Sequence, residues 1–289
     1  MRTASKMRSQ QPHISGALGV PQARFGPAAL AWRPHPLLTA LFYNVGPFAA
    51  LVAVWALVVA LILPSVAVLP SPLRVAEEVV FTLRSGVLPD YVQRSLARLL
   101  LTAAAVIPLG VMAGLLVGLV RPAAATLMPV FRYLTAIPAI AWLPVFLVTL
   151  GFNETSIVAT AAYGFFFPVL FNTLVGVQTV PRVLRSAIRT LGGTGFHVIR
   201  DVLVPGALPS IAAGMRLGFA YGWRALIAAE MLVAQGGLGH LLFRAQSVGF
   251  TPRMVAGMVV IGTLAAAIDF FLMEPLEERT VRRWGTVRP

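Results

Sequence analysis

Charged residues in this chain are separated by long apolar runs. Residues 99–120 lie between Arg98 and Arg121 and carry no charge at all. About 20 such residues span the hydrocarbon of a bilayer as a helix. The gap from Arg33 to Arg74 is longer still, with residues 46–68 at its apolar centre. Further runs lie between Arg132 and Glu154, over 155–180, over 208–233 and over 254–273. The pattern predicts an all-α, polytopic membrane protein with about six transmembrane helices. The third run contains Pro138 and Pro144. Proline removes a backbone donor and crowds the preceding turn, so this span is expected to break into a helix and a bent segment.

Composition supports the same solvent. Charged residues make up 11% of the chain, against about 25% in soluble domains. The net charge of +13 is almost all arginine, and the only lysine is Lys6. Nucleic-acid binders collect such charge on one polar face. Here the arginines flank apolar runs, where they anchor spans and set orientation, so no nucleic-acid partner is expected. Arginine is in excess in the N-terminal segment, in the 181–209 loop and at the C-terminus, which places both termini in the cytoplasm. Residues 1–40 read as a flexible basic cytoplasmic tail, 41–285 as the transmembrane domain and 286–289 as a short C-terminal tail. Residues 74–98 have balanced charge and apolar residues at Val75, Val79, Val80 and Leu83, which predicts an amphipathic helix along the outer surface.

Enzyme chemistry finds no support. There are no cysteines, and His13, His35, His197 and His240 lack metal-ligand spacing. A P-loop needs a lysine after a glycine-rich turn; Lys6 has no such turn before it. The chain is therefore read as holding no cofactor of its own, and any ATP that powers it sits on another subunit.

The segment 181–209 is long for a connection between spans, and it is patterned. Val183, Leu184, Ala187, Ile188 and Leu191 recur at helical spacing, with Arg182, Arg185, Ser186 and Arg189 opposite them. Gly192-Gly193 supplies the left-handed turn that ends such a helix. A second short helix is expected from Phe196 to about Leu203, with Pro205 and Pro209 leading into the fifth span.

This loop resembles the signature of binding-protein-dependent ABC importer permeases. The motif's opening Glu-Ala-Ala falls on Ser186, Ala187 and Ile188, its glycine on Gly192, and its closing Ile-x-Leu-Pro on Val202, Leu203, Val204 and Pro205. The leading Glu is absent. Thr190 to Gly192 and the stretch 207–211 also fit. Trp223, the Ala-Ala-Glu-Met-Leu run at 228–232 and Gly237-Leu238-Gly239 are similar to the nitrate/sulfonate/taurine branch. The likeness covers roughly residues 65 to 285. It implies a type I importer fold and a permease subunit for a small polar, anionic solute such as a sulfonate, taurine or nitrate. It also implies that Arg185, Ser186, Ala187, Ile188, Arg189, Gly192 and Pro205 form a coupling elbow for a separate ATP-binding subunit. The implied assembly has two ATPase copies carrying ATP and Mg, a permease homodimer and an extracytoplasmic solute-binding protein, in the bacterial inner membrane.

Charges inside spans are costly and default to functional candidates. At 100° per residue, Arg216, Trp223 and Glu230 share one stripe of the fifth span, with Arg224 to the side. The stripe either faces a central pathway, making Trp223 and Glu230 translocation candidates, or pairs with neighbouring spans. Asp269, near the inner end of the last span, reads as a structural partner. Glycines at every fourth residue, Gly110, Gly114 and Gly118 and then Gly214, Gly218 and Gly222, predict close helix packing. An ion-coupled secondary transporter that titrates Glu154, Glu230 or Asp269 is the second class considered. It lacks visible internal repeats with paired broken helices.

Overall fold

The computed structural model describes residues 36–61 and 69–284. The expected tails at 1–35 and 286–289, and the end of the first apolar run at 62–68, lie outside the described residues. Among those described, the chain is helical throughout and contains no strand. It divides at Ala50. Up to that point the described residues are the start of α1 (Pro36–Leu61), so residues 36–40 are helix where a tail was expected. The rest forms one helical body.

That body contains α2 (Pro72–Arg84), α3 (Val87–Leu119), α4 (Arg121–Ala136), α5 (Leu143–Leu150), α6 (Glu154–Thr179), α7 (Arg182–Thr190) and α8 (Gly195–Val198). It continues with α9 (Val204–Val233), α10 (Leu238–Ser247), α11 (Thr251–Ile268) and α12 (Glu274–Trp284). Four continuous helical stretches are long and apolar enough to cross a membrane: Val87–Leu119, Glu154–Thr179, Gly195–Val233 and Thr251–Thr280. Pro122–Ala136 and Ala139–Leu150 form a fifth, bent by 94°. The break falls at Pro138, as its missing N–H and ring dictate.

α6 is the central helix, and both glycine ladders pack against it, on adjoining faces that meet at Val169. A Cβ on Gly114 of α3 would sit 2.6 Å from the Leu170 carbonyl and the Thr173 side chain. A Cβ on Gly222 of α9 would sit 2.2 Å from the Phe165 ring, and one on Gly214 would lie 2.7 Å from Asn172. Backbones therefore meet where side chains would hold them apart. Thr102, Thr160 and Thr173, all buried, return their hydroxyls to the carbonyl four residues back, so none is left unsatisfied in apolar surroundings.

Phe165 and Phe167 of α6 are buried. Phe165 stacks edge-to-face on Phe219 of α9. The opposite face of α3 leaves Leu101, Leu109, Met112 and Leu116 uncovered, as suits a surface turned to hydrocarbon.

Two boundaries differ from the sequence reading. The amphipathic stretch 74–98 is not one helix. α2 stops at Arg84, Gly86 turns at φ 76°, and a new helix begins at Val87. Arg98 therefore lies inside α3 rather than ahead of it. α2 is pinned to α11 by Arg253, whose Nε donates to Glu78 Oε1 at 2.6 Å. The last span also runs past Met273, through a π-helical turn at Asp269–Met273, into α12.

Candidate functional site

Two constellations lie at opposite ends of α6. At its C-terminal end is the 181–209 loop. α7 closes with a Schellman arrangement: Gly193 N–H donates to Ile188 O at 2.9 Å and Gly192 N–H to Arg189 O at 3.1 Å. Gly192 sits at φ 82°, a conformation that costs an L-residue roughly 1–2 kcal/mol. Thr194 then opens α8. Its N–H donates to His197 Nδ1 at 3.2 Å, and its hydroxyl lies 2.8 Å from the same nitrogen. α8 passes through a π-helical turn at Ile199–Leu203 into α9 without a break, and Pro205 stands in the first turn of α9. Pro205 has no N–H to give the preceding turn, and the π-helical turn lies directly before it.

The elbow is fixed to the bundle at its root. Arg185 Nη2 donates to Val177 O at 2.5 Å and reaches Val180 O at 3.5 Å, capping the end of α6 with positive charge. Ile188 packs against a cluster of Val177, Val180, Val198, Leu203, Ala207 and Ile211. Ser186, Ala187 and Arg189 are exposed. So are most of the apolar residues on this elbow: Val183 is 76% exposed, Leu191 84% and Phe196 66%, with Leu184 about half covered. The chain builds a rigid helical corner and leaves its apolar surface without a partner inside the subunit.

At the other end of α6 is a buried polar clamp. Arg98 of α3 donates from Nε and Nη2 to both oxygens of Glu154 at 2.6 Å, and from Nη1 to Glu230 Oε1 at 2.6 Å and Gly236 O at 2.8 Å. Glu230 of α9 is fully buried. It also accepts from the Ser95 hydroxyl, 2.9 and 2.8 Å from its two oxygens, and from Gly239 N–H at 3.0 Å. Ser95 Oγ in turn accepts from Leu238 N–H at 2.9 Å. One arginine thus joins α3, the start of α6, the end of α9 and the turn into α10.

The two glycines of Gly237-Leu238-Gly239 make this possible. Gly237 sits at φ 118°, and a Cβ there would lie 2.7 Å from both Arg98 and Glu230. One on Gly239 would lie 2.4 Å from Ile227 O.

The sequence stripe of Arg216, Trp223 and Glu230 is therefore divided. Glu230 turns to Arg98. Arg216 donates to both oxygens of Asp269 at 2.7 Å and to Glu277 at 2.9 Å, so Asp269 is the structural partner expected. Trp223 is buried and lines a cavity of about 320 Å³ shared with Arg216, Arg224, Asp269 and Met273. Sequence reasoning missed Arg98, Ser95 and Glu154 as a unit. A signal was present: Leu88, Tyr91, Val92, Ser95 and Leu96 continue the helical period of α3 upstream of Arg98, and Leu99 carries it past that residue.

These elements define a polytopic helical membrane protein with a protruding two-helix elbow. Residues 106–281 match the family described as binding-protein-dependent transport system inner membrane component, and the chain belongs to that family of ABC transporter permeases. It is 32% identical over 264 residues to the taurine transport system permease protein TauC of Escherichia coli, covering 90% of this chain and 95% of that one. It is 30% identical over 236 residues to the putative aliphatic sulfonates transport permease protein SsuC of Bacillus subtilis, covering 82% and 85%. Identity to the nitrate import permease protein NrtB of Synechocystis is 30% over 178 residues, covering 62% and 65%. In fold it is similar to the inward-facing MetNI methionine ABC transporter, with TM-score 0.57 and 21% identity over 71% of this chain and 98% of that one. It is a transport permease of the inner membrane and not an enzyme. Among the described residues no group of histidines and carboxylates could hold a metal ion.

Proposed function

We propose that this permease imports a small anionic solute of the sulfonate, taurine or nitrate kind, and that the α7–α8 elbow receives a separate ATP-binding subunit. The observation that carries the proposal is the uncovered apolar surface of Val183, Leu184, Leu191 and Phe196 on a corner whose geometry is fixed by the Gly192-Gly193 turn and Arg185. A rigid corner transmits a displacement that a disordered loop would absorb. Exposed apolar residues at a polar boundary mark a protein interface. The substrate class is supported by the relatives, which include permease proteins for taurine, aliphatic sulfonates and nitrate.

In this reading Arg185, Ser186, Ala187, Ile188, Arg189, Gly192 and Pro205 make up the coupling elbow. ATP and Mg are bound by two copies of the partner. Two permease copies enclose the path, an extracytoplasmic binding protein delivers solute, and both termini face the cytoplasm. Trp223 borders the path, and Glu230 sets the outer end of the helix that forms its wall. Ser186, standing where the resembling family has Glu, leaves the docking contact to the apolar residues.

Co-expression with a candidate ATP-binding subunit tests the proposal. The two are expected to co-purify, and Val183→Asp with Leu191→Asp is expected to abolish the association while the permease still elutes as a folded species. Association that survives both substitutions overturns the role of the elbow.

A further inference from the structure

Arg224 is exposed in the middle of α9, and among the described residues no carboxylate pairs with it; its neighbour is the face of Tyr221, with the guanidinium carbon 5.8 Å from the ring centre. A charged side chain facing hydrocarbon at that depth costs several kcal/mol. This face of α9 therefore meets water or protein rather than lipid.

Arg224 shares its cavity with Trp223, which is 5% exposed and whose indole N–H is buried without a partner. Arg216, eight residues earlier and about 12 Å down the helix axis, borders the same cavity. Asp269 and Glu277 occupy all three of its guanidinium nitrogens. The cavity is thus lined by one committed arginine, one uncommitted arginine and an indole whose buried N–H has no partner, over walls of Leu99, Phe219 and Ile268.

We infer that Arg224 and the Trp223 indole N–H form an anion-binding station in the membrane domain, suited to a small oxyanion such as a sulfonate. This deepens the substrate class of the proposed function and rests on that reading for its place in transport. Guanidinium supplies charge and paired donors to a planar or tetrahedral oxyanion. The indole supplies one further donor in surroundings where an unmade hydrogen bond is costly. Arg216 is the closed end of the station, because an anion reaching it would have to displace two carboxylates.

Trp223 itself provides a readout that needs neither ATPase nor transport. In a chain whose Trp32, Trp55, Trp142 and Trp284 are replaced by Phe, in nanodiscs, the fluorescence of Trp223 is titrated at constant ionic strength with iodide, caesium and acrylamide. Iodide is expected to quench about tenfold more steeply than caesium, and methanesulfonate is expected to relieve that quenching. Arg224→Gln is expected to remove the iodide preference with acrylamide quenching unchanged, and Arg224→Lys to retain it. Equal quenching by iodide and caesium, an unchanged preference in Arg224→Gln, or no relief by methanesulfonate overturns the station. A station that binds anions while the chain fails to recruit an ATPase would instead overturn the importer reading and leave the station standing.

Discussion

Glu230, fully buried near the end of α9, is held by Arg98 of α3 at 2.6 Å across 132 residues of sequence. The pair closes the end of the bundle farthest from the α7–α8 elbow. α6 alone separates these ends by about 39 Å, at 1.5 Å per residue over its 26 residues.

Removing one partner strands a buried charge. Arg98→Met is expected to destabilise the protein by about 3–5 kcal/mol, the usual cost of an uncompensated ion in a sealed site. Adding Glu230→Leu is expected to recover much of that loss, because the stranded charge is gone. Thermal unfolding of the detergent-solubilised protein checks both. A double variant no better than Arg98→Met would show that the clamp contributes something other than charge compensation.

The glycines differ in what surrounds them. Gly114→Ala places a Cβ 2.6 Å from the Leu170 carbonyl, whereas Gly262 of α11 has nothing within 4 Å of the same atom. Gly114→Ala is expected to lower stability by about 1–3 kcal/mol through overpacking. Gly262→Ala is expected to be neutral or to stabilise by up to about 1 kcal/mol. Thermal unfolding of the two variants side by side tests whether the ladders set the helix spacing.

Gly192 allows a more selective substitution. Its surroundings are open, so Gly192→Val meets no clash and acts only through the strained φ of 82°. The expected outcome is a local rearrangement of the elbow, with ATP hydrolysis by the assembled complex uncoupled from solute transport and the spans still folded. The ratio of hydrolysis to uptake in proteoliposomes reports it, and an unchanged ratio contradicts the assignment.

Much of this architecture was legible in the sequence, because the relevant physics is local. Apolar length gave the spans, Pro138 gave the bend, and the period of Val183 to Leu191 followed by Gly192-Gly193 gave the elbow. The clamp was less legible. Arg98 looks like the charged boundary of an apolar run, yet it is accommodated inside α3 by Glu154 and Glu230, residues 56 and 132 positions away. Glu230 lies on the same helical stripe as Arg216 and Trp223, but periodicity cannot tell which neighbour receives each side chain. The Ala-Ala-Glu-Met-Leu and Gly-Leu-Gly runs are legible in the sequence only as a likeness to the nitrate/sulfonate/taurine branch. Their shared physical reason, a carboxylate received by a turn with no room for a Cβ, required the fold.

The absence of cysteine allows the elbow to be tested directly. Leu191→Cys introduces a single thiol at an apolar position that is 84% exposed, and Val248→Cys, at a position 72% exposed, serves as a control away from the elbow. The rate of maleimide labelling is compared for the permease alone and for the permease assembled with its ATPase. Our account predicts that Cys labelling at position 191 slows by at least about tenfold on assembly, equivalent to about 1.4 kcal/mol of protection, while position 248 is unaffected. Equal labelling of position 191 in both states would contradict the claim that this elbow is where the ATPase docks.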